Sequence, residues 1–324
     1  MATKEKLLEL FESNKGVYFS GEDIARALGI SRAAVWKAVK ALQGEGYSID
    51  AVTNKGYCLS TNTDIISPQG IKKYLYGKCA DIDVEVVQCA ASTNALVREK
   101  ANAGAPEGCV VVANEQSAGR GRLGRTFYSP SGAGIYMSLL LRPNNYPAQL
   151  AARVTTIAAV AMCEAIEAVS DEEAQIKWIN DIFIRGKKVC GILTEASFGL
   201  ENSMLEYAVL GLGINVYKPA GGFPKELAHV AGAIFDAQRD DMKNRLAAEF
   251  LNRFMAYYAE LGKTDYVKKY RSRCFVIGRH VKVVSGSQTK NALVLGIDDE
   301  CRLLVRYDDG SEESIFSGEI SIRF

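Results

Sequence analysis

The first 60 residues alternate amphipathic stretches with glycine turns. Apolar residues three and four positions apart predict three short helices, at residues 4–12, 21–28 and 32–43. Ser31 can cap the third helix, which follows a turn at Gly29. Alternating apolar and polar residues around a glycine turn then predict a β-hairpin over residues 47–59. This order of elements predicts a winged helix-turn-helix domain with limits of 1–62.

From about residue 83 the pattern changes to apolar runs that alternate with helical stretches. The apolar runs predict six strands, at residues 84–88, 110–114, 135–141, 181–184, 189–195 and 207–216. Helices are predicted at residues 94–103, 148–169 and 241–261. The chain is thus predicted to be an α+β multidomain protein whose central unit, residues 63–272, is a mixed α/β domain. Short, closely spaced strands near the end predict a small SH3-like β-barrel over residues 273–324.

The composition is that of an ordinary globular protein. The 324 residues are 48% hydrophobic with a net charge of +1, so any site for an anion must be local. The eight cysteines form no CxxC pair and two histidines accompany them, which disfavours a His/Cys zinc site. The first residues lack the apolar core of a signal peptide, and Arg153 and Glu164 interrupt the most apolar long stretch, residues 150–169. We therefore expect a reduced, cytoplasmic protein without a membrane segment.

The third predicted helix concentrates basic charge on one face. Its apolar face consists of Val35, Ala38, Val39 and Leu42. The other face carries the three positive charges of the helix, and the helix has no negative one. Such a helix fits the major groove of DNA, with the tip of the wing on the backbone or in a minor groove. The predicted DNA-binding residues are Ser31, Arg32, Trp36, Lys37, Lys40 and Lys55.

Two alternatives stay open for this domain. The lysines of the helix could be merely solvated on a module that contacts other proteins. Trp36 could cover the domain core instead of packing on DNA sugars.

The segment 119–125, here named the glycine–arginine loop, alternates three arginines with three glycines. Glycine lets a backbone approach a ligand closely, and arginine offers phosphate a forked donor that is always charged. Residues 116–163 contain five arginines and no acidic residue, which indicates a strongly anionic ligand. A flexible RNA-binding tail is the alternative, but the loop lies between two predicted strands. An ordered phosphate clamp is the preferred interpretation.

Three further segments offer polar groups at the ends of predicted strands. Residues 177–181, Lys-Trp-Ile-Asn-Asp, lead into one strand, and a lysine-rich turn leads into the next. Residues 92–94, Ser-Thr-Asn, open a predicted helix with small polar side chains. Gly211, Gly213 and Asn215 mark a strand that lets another group approach closely.

These motifs resemble those of the bacterial biotin–protein ligases: GRGRLGR, KWIND followed by KKVCGILTE, STN, GLGIN and the terminal GEISIR. The segment SGEDIARALGISRAAVWKAVKAL with its NKGYCLS wing resembles the repressor domain of the bifunctional members. The resemblance spans essentially the whole chain and implies a class II synthetase-like catalytic domain. It implies a reaction with biotin, ATP and Mg²⁺ that forms biotinyl-5′-adenylate. A lysine of the biotin carboxyl carrier domain of acetyl-CoA carboxylase then takes the biotinyl group.

The resemblance also implies roles for individual residues. Those implied in biotin binding are Ser92, Thr93, Asn94, Gln116, Arg120, Gly121, Arg122 and Lys188. Those implied in ATP binding are Arg120, Arg122, Arg125, Asn180, Asp181 and Asn215. Lys188 and Arg122 would be catalytic, with Lys188 stabilising charge that builds up on the phosphate. No metal ligand is firm, because Asp181 either helps to hold Mg²⁺ or caps a strand end.

Two positions depart from the best-known member of the family. Ile179 stands where that member has proline, which puts the local backbone path before Asn180 in doubt. Leu123 stands where it has a further arginine, which puts one phosphate contact in doubt.

The family further implies a homodimer when the adenylate is bound, formed through the edge of the central sheet and binding operator DNA. Three other hypotheses compete with the bifunctional ligase. They are a lipoate ligase of related fold, a transcription factor that only senses biotin, and a ligase whose helical domain no longer binds DNA.

Overall fold

The computed structural model describes residues 2–143, 151–198, 205–285 and 288–322. Its N-terminal unit consists of α1 (Thr3–Ser13), α2 (Gly21–Leu28), α3 (Arg32–Gly44) and a hairpin of β1 (Ile49–Val52) and β2 (Gly56–Leu59). Ser31 Oγ accepts a hydrogen bond from Ala34 N at 3.2 Å, and Gly29 takes a left-handed φ of 65° that ends α2. The predicted winged helix-turn-helix is therefore confirmed.

Within the described residues, the central sheet contains seven strands. They are β3 (Val84–Ala90), β4 (Val110–Gln116), β5 (Gly134–Leu141), β6 (Gln175–Lys177), β7 (Asp181–Ile184), β8 (Lys187–Phe198) and β9 (Leu205–Asn215). Their order in the sheet is β3-β4-β5-β9-β8-β7-β6. The β3–β4 pair is parallel, and the other pairings of the described strands are antiparallel. The six predicted strands are confirmed, whereas β6 is too short to show a period.

In the described part of the chain, the α-helices that accompany this sheet are α4 (Pro68–Lys72), α5 (Thr93–Asn102), α6 (Ala151–Val169), α7 (Met242–Tyr258) and α8 (Asp265–Arg273). Residues 148–150 of the predicted helix 148–169 lie outside the described residues. Helix α6 is apolar around most of its circumference because it packs between the sheet and α7. Helix α8 was not predicted, because charged residues dominate its short sequence. In the part of the chain that the structure describes, no helix combines the length and the apolar character that crossing a bilayer requires.

The C-terminal strands form a second, antiparallel sheet. They are β10 (His280–Ser285), β11 (Gln288–Ile297), β12 (Leu303–Tyr307), β13 (Glu312–Ile315) and β14 (Glu319–Ile322). Their order is β13-β12-β11-β10-β14, and among the described residues the two edge strands do not pair, so no closed barrel is found. This sheet joins the central core, because Trp178 Nε1 donates to Cys301 O at 2.9 Å and the Phe183 and Phe275 rings pack 5.3 Å apart.

Four charged side chains, here named the charge cluster, join the N-terminal unit to the rest of the chain. Glu12 lies near the end of α1, Lys73 directly follows α4, and Asp241 directly precedes α7. Lys15 Nζ lies 3.2 Å from Glu12 and 2.8 Å from Asp241. Lys73 Nζ lies 2.8 Å from Glu12 and 2.5 Å from Asp241. The four side chains are between 1% and 16% exposed, so solvent screens these ion pairs little.

Hydrogen bonds hold the carboxyl of Asp241 in its ionised form. Burial acts to raise the pKa of this carboxyl, but its donors outweigh burial and leave the pKa below its ordinary value. These donors are Lys15, Lys73, Tyr74 and Asn244. A depressed carboxyl pKa stabilises the fold above the unfolded value of about 3.9. The stabilisation is lost as the pH falls through the lower, folded-state pKa.

Asp241→Asn tests the charge cluster, because asparagine keeps the shape of the side chain and tolerates the positive φ of 56° there. We expect the free energy of unfolding at pH 7 to fall by about 2 kcal/mol, since Lys15 and Lys73 then face Glu12 alone. The difference from wild type should shrink as the pH falls below about 4. Urea unfolding at several pH values measures it.

Asp236→Asn is the matched control, because the Asp236 side chain is 92% exposed. It should change the free energy of unfolding by less than about 0.5 kcal/mol. Equal losses in the two variants would contradict a special role for the charge cluster.

Candidate active site

A cavity of about 400 Å³ opens where the central sheet meets the glycine–arginine loop. Its walls come from the ends of β4, β8 and β9, from the start of α5, and from residues 318–320 of the C-terminal sheet. Every residue that the sequence predicted for biotin or ATP lines this cavity: Ser92, Thr93, Asn94, Gln116, Arg120, Gly121, Arg122, Arg125, Asn180, Asp181, Lys188 and Asn215. The structure thus brings the predicted residues together, and the role of each one stays a prediction.

Hydrogen bonds orient the polar wall of the cavity. Gln116 Oε1 accepts from Thr93 N at 2.8 Å, and Asn94 Nδ2 donates to Glu195 at 2.7 Å. Ser138 Oγ on β5 lies 2.7 Å from Thr93 Oγ1 and donates to Asn94 Oδ1 at 2.6 Å. Thr93, Asn94 and Ser138 are buried, so the protein fixes their orientation. Sequence reasoning missed Ser138 and Glu195, because no motif marks the side of the strand on which each lies.

Two glycines of β9 let neighbouring side chains approach the backbone. A Cβ at Gly211 would lie 2.1 Å from Asn94 Oδ1, and one at Gly213 would lie 2.4 Å from the Phe127 ring. The sequence predicted a close approach at these glycines. The structure shows that the approaching groups are side chains of the cavity wall itself.

The glycine–arginine loop is a closed turn. Gly121 N donates to Arg125 O at 2.7 Å, and Phe127 N donates to Gly119 O at 2.9 Å. Leu123 takes a left-handed φ of 55° at the tip, where its side chain is 72% exposed. This bonded turn favours the phosphate-clamp interpretation over a flexible tail.

The three arginines of this loop have different partners. Arg122 donates to Asn180 Oδ1 and to a backbone carbonyl before β14, both at 3.0 Å. Arg125 forms a two-pronged ion pair with Glu319 at 2.7 Å. Arg120 is exposed, and within the described residues its guanidinium has no hydrogen-bond or ion-pair partner. An anion can therefore bind Arg120 without breaking a contact, whereas at Arg125 it must displace a carboxylate.

Two lysines flank Asp181 in the cavity. Lys188 Nζ lies 2.7 Å from Asp181 Oδ1, in an ion pair rather than a well-aligned hydrogen bond. Lys177 is the register partner of Asp181 across β6 and β7, so both side chains lie on one face of the sheet. Burial lowers the pKa of Lys177, and the Lys188 ammonium lowers it further, while Asp181 opposes both. The sequence did not predict Lys177 for the site, because the face of the sheet on which its side chain lies depends on how β6 pairs with β7.

The described residues of the cavity do not form a metal site made of protein ligands alone. They fit a metal ion that binds together with a nucleotide. Across the described ranges, no three His, Cys, Asp or Glu side chains gather as a metal site would require. Lys188 already neutralises Asp181. Mg²⁺ commonly binds one or two carboxylates together with phosphates and water, and Asp181 can supply one such oxygen.

An irregular stretch after β9, residues 223–231, forms another wall and is here named the covering segment. Its apolar side chains Leu227 and Val230 line the cavity. Lys188 N donates to Val230 O at 2.8 Å, and Gly232 N donates to Lys188 O at 2.9 Å, which attaches the segment to β8. The sequence predicted no element here, because the stretch has neither a helical nor a strand period.

The face of α3 that the sequence predicted for DNA lies in solvent. The exposed side chains are those of Arg32, Trp36, Lys37 and Lys40, together with Lys55 on the wing. Trp36 is 53% exposed, so it does not cover the domain core. On the wing, Lys55 Nζ lies 5.7 Å from the centroid of the Tyr18 ring. Ser31 caps the N-terminus of α3 through its hydroxyl. The basic face is therefore free to meet a partner, and its DNA-binding role stays a prediction.

Comparison with known families matches three parts of the chain. Residues 86–215 match the Biotin/lipoate A/B protein ligase family, and residues 276–323 match the Biotin protein ligase C terminal domain. Residues 3–58 match an HTH domain.

Relatives match over nearly the full length. The bifunctional ligase/repressor BirA of Bacillus spizizenii is 36% identical, with 98% of each chain covered. BirA of Escherichia coli is 29% identical, covering 98% of this chain and 96% of that protein. The Aquifex aeolicus biotin protein ligase in complex with biotin and ATP shares the fold, with 24% identity and a TM-score of 0.60 over 74% of this chain and 98% of that one. The chain belongs to the biotin protein ligase family, among its bifunctional ligase/repressor members.

Gly211→Ala should displace Asn94, because the new Cβ overlaps its carboxamide. We expect the free energy of unfolding to fall by about 2 kcal/mol, measured by urea unfolding. In an Asn94→Ala background the same substitution should cost less than about 0.5 kcal/mol, since the obstacle is gone.

Gly296→Ala is the matched control, because nothing lies within 4 Å of a Cβ at Gly296. If Gly211→Ala costs the same in both backgrounds, the close contact with Asn94 is not the cause.

Proposed function

We propose that this chain attaches biotin to a protein lysine in two steps and, through its N-terminal domain, represses transcription in response to biotin. One observation carries the proposal: the glycine–arginine loop, the polar wall around Asn94 and Lys188 all line one cavity. The bifunctional ligase/repressor relatives support both halves of it.

The first step joins two anions, the carboxylate of biotin and the α-phosphate of ATP. A carboxylate oxygen forms a bond to the α-phosphorus, and the bond to the departing pyrophosphate breaks. Repulsion opposes this approach, so the protein must supply fixed positive charge and a defined geometry. Arg120, Arg122 and Lys188 supply that charge, and Lys188 stabilises the negative charge that grows on the phosphate.

The polar and glycine-rich walls suit biotin itself. Ser92, Thr93, Asn94 and Gln116 offer donors and acceptors to the ureido ring, and Gly121 offers its backbone to the carboxylate end. The apolar side chains that line the cavity, among them Phe127 and Leu212, suit the apolar rings and tail. With the ureido ring at the polar wall, the reacting carboxylate of biotin lies beside the arginines of the glycine–arginine loop in this proposal.

ATP takes the remaining part of the cavity. Asn180, Asp181 and Asn215 lie on the nucleotide side in this proposal, and Arg125 binds phosphate or holds the loop through Glu319. Mg²⁺ bound to the nucleotide would neutralise phosphate charge, with Asp181 as the protein residue that holds it.

In the second step the amine of an acceptor lysine attacks the carboxyl carbon of biotinyl-5′-adenylate. An amide bond forms and AMP leaves. The acceptor is the biotin carboxyl carrier domain of acetyl-CoA carboxylase.

The repressor half requires a two-fold dimer, which we propose forms through β3 when the adenylate is bound. The outer edge of β6 is occupied, because Phe275 N donates to Ile176 O at 3.2 Å. No described strand pairs with the outer edge of β3. Two copies of α3 would then meet successive turns of operator DNA.

The domain limits of 1–62, 63–272 and 273–324 are part of the same proposal. The separate hydrophobic core of the N-terminal unit and the positions of the family matches support them. A β-bulge near Gly296 supports the SH3-like interpretation, because bulges bend the strands of small barrels. A cytoplasmic location follows from the same family resemblance.

Incubation with biotin, ATP, Mg²⁺ and a carrier domain, followed by mass spectrometry of the carrier, tests the proposed function directly. A biotinylated carrier supports it. Modification with lipoate but not with biotin would favour a lipoate ligase, and biotin binding without pyrophosphate release would favour a transcription factor that only senses biotin.

Lys188→Ala should slow adenylate formation by about 100-fold and leave transfer from supplied biotinyl-5′-adenylate within about threefold of wild type. Rapid-quench measurement of pyrophosphate separates the first step from the second. Lys225→Ala, on the covering segment but not lining the cavity, should change neither rate. Equal slowing of both steps would reject the assigned role of Lys188.

Lys40→Ala should weaken DNA binding roughly fivefold, without an effect on ligation. The slope of the logarithm of the binding constant against the logarithm of salt concentration should become less steep by about one, because one fewer counterion is released. The probe is a set of duplexes that the wild-type protein, with biotin and ATP, selects from a random pool. Lys6→Ala, exposed on α1, is the matched control. Loss of ligation together with DNA binding would show that the two functions are not separated as proposed.

A further inference from the structure

Lys187 is bonded to the covering segment. It begins β8 and directly precedes Lys188. Lys187 Nζ donates to His229 O at 2.6 Å and to Ala228 O at 3.4 Å. One ammonium group therefore binds two consecutive carbonyls at the end of the turn that covers the cavity.

The other hydrogen bonds that attach residues 230–232 to the sheet come from the backbone of β8 or from a side chain of β9. Lys188 pairs with Val230 and Gly232 through its main chain. Asn215 Nδ2, at the end of β9, donates to Gly232 O at 3.0 Å. Among the described residues of β8, Lys187 alone bonds the covering segment through its side chain. It is thus the one attachment from this strand that a substitution can remove without a change of backbone.

The stem of Lys187 also packs against the chain that follows the covering segment. A Cβ at Gly232 would lie 2.5 Å from Lys187 Cβ. Residue 232 must therefore lack a side chain for the ammonium group to reach its carbonyls. This contact offers a second, independent way to disturb the same attachment.

We propose that Lys187 is a positioning residue that keeps the covering segment closed over the activated intermediate until the acceptor lysine arrives. The inference rests on the proposed function. The segment contributes the apolar side chains of Leu227 and Val230 to the cavity wall, and apolar groups packed against a bound intermediate would keep water from it. Water that enters would add to the mixed anhydride of biotinyl-5′-adenylate and release biotin and AMP. An open segment would also let the intermediate diffuse away.

The expected effect is on retention rather than on folding or on adenylation. The Lys187 side chain is half-buried, so its charge-assisted bonds shift the closed-to-open ratio by roughly fivefold. Its ammonium group bonds the carbonyls of Ala228 and His229, whereas the proposed reaction takes place beside Arg120, Arg122 and Lys188. Loss of Lys187 should therefore speed leakage while the rate of adenylate formation is maintained.

A chase experiment tests this inference. Wild type and Lys187→Met are loaded with biotin and labelled ATP, and excess unlabelled nucleotide is added. The appearance of free adenylate and AMP is then followed over time. Lys187→Met should leak roughly fivefold faster, with single-turnover adenylation within about twofold of wild type. Lys187→Arg should restore retention, because a guanidinium can donate to both carbonyls.

Gly232→Ala and Lys225→Met complete the design. Gly232→Ala presses on the stem of Lys187 and should also increase leakage, whereas Lys225→Met removes a lysine of the same segment that does not line the cavity and should not. Equal retention by wild type and Lys187→Met overturns the inference alone, as does a parallel fall of adenylation and melting temperature. A wild type that forms no adenylate overturns the proposed function and this inference with it.

Discussion

Repulsion between like charges in one cavity is the constraint on which the site depends. Among the described residues, five cationic side chains line this cavity: Arg120, Arg122, Arg125, Lys177 and Lys188. The protein offsets part of the charge, since Asp181 pairs with Lys188 and Glu319 pairs with Arg125. Within the described residues, Arg120, Arg122 and Lys177 have no ion-pair partner. An anionic ligand completes the electrostatic balance of the cavity, and this requirement selects for substrates that carry carboxylate and phosphate.

Holding these cations together takes three parts of the chain that are distant in sequence. The glycine–arginine loop supplies the arginines, and the C-terminal sheet supplies the carboxylate of Glu319 and a backbone carbonyl that bind two of them. The covering segment closes another side through its bonds to β8. The C-terminal sheet is therefore part of the site, although its own sequence carries no obvious chemistry.

Because the site combines local motifs with contacts between distant parts of the chain, the sequence predicted only part of it. Most helices and strands were predictable, because one face of each is buried and leaves a period in the sequence, whereas β6 is too short and α8 too highly charged to show one. The chemistry of the glycine–arginine loop is local and was also predictable. The face of the sheet on which Ser138 and Lys177 lie depends on strand register. Glu319, the partner of Arg125, lies 194 residues away in the sequence. Local sequence patterns therefore could not predict either feature.

A protein that couples catalysis to DNA binding needs a physical connection between the cavity and α3, and the connecting chain after β2 provides one. Asp64 in this connection is 2% exposed, and it accepts from Tyr217 Oη at 2.5 Å and from Lys243 N at 2.7 Å. Tyr217 lies two residues beyond Asn215, which lines the cavity, and Lys243 lies two residues beyond Asp241 of the charge cluster. Since buried polar bonds are costly to leave unmade, these two bonds hold the connecting chain to the stretch after β9 and to the start of α7. The charge cluster binds the N-terminal unit to Lys73 after α4 and to Asp241 before α7, so buried contacts, and not the covalent linker alone, join this unit to the domain that holds the cavity.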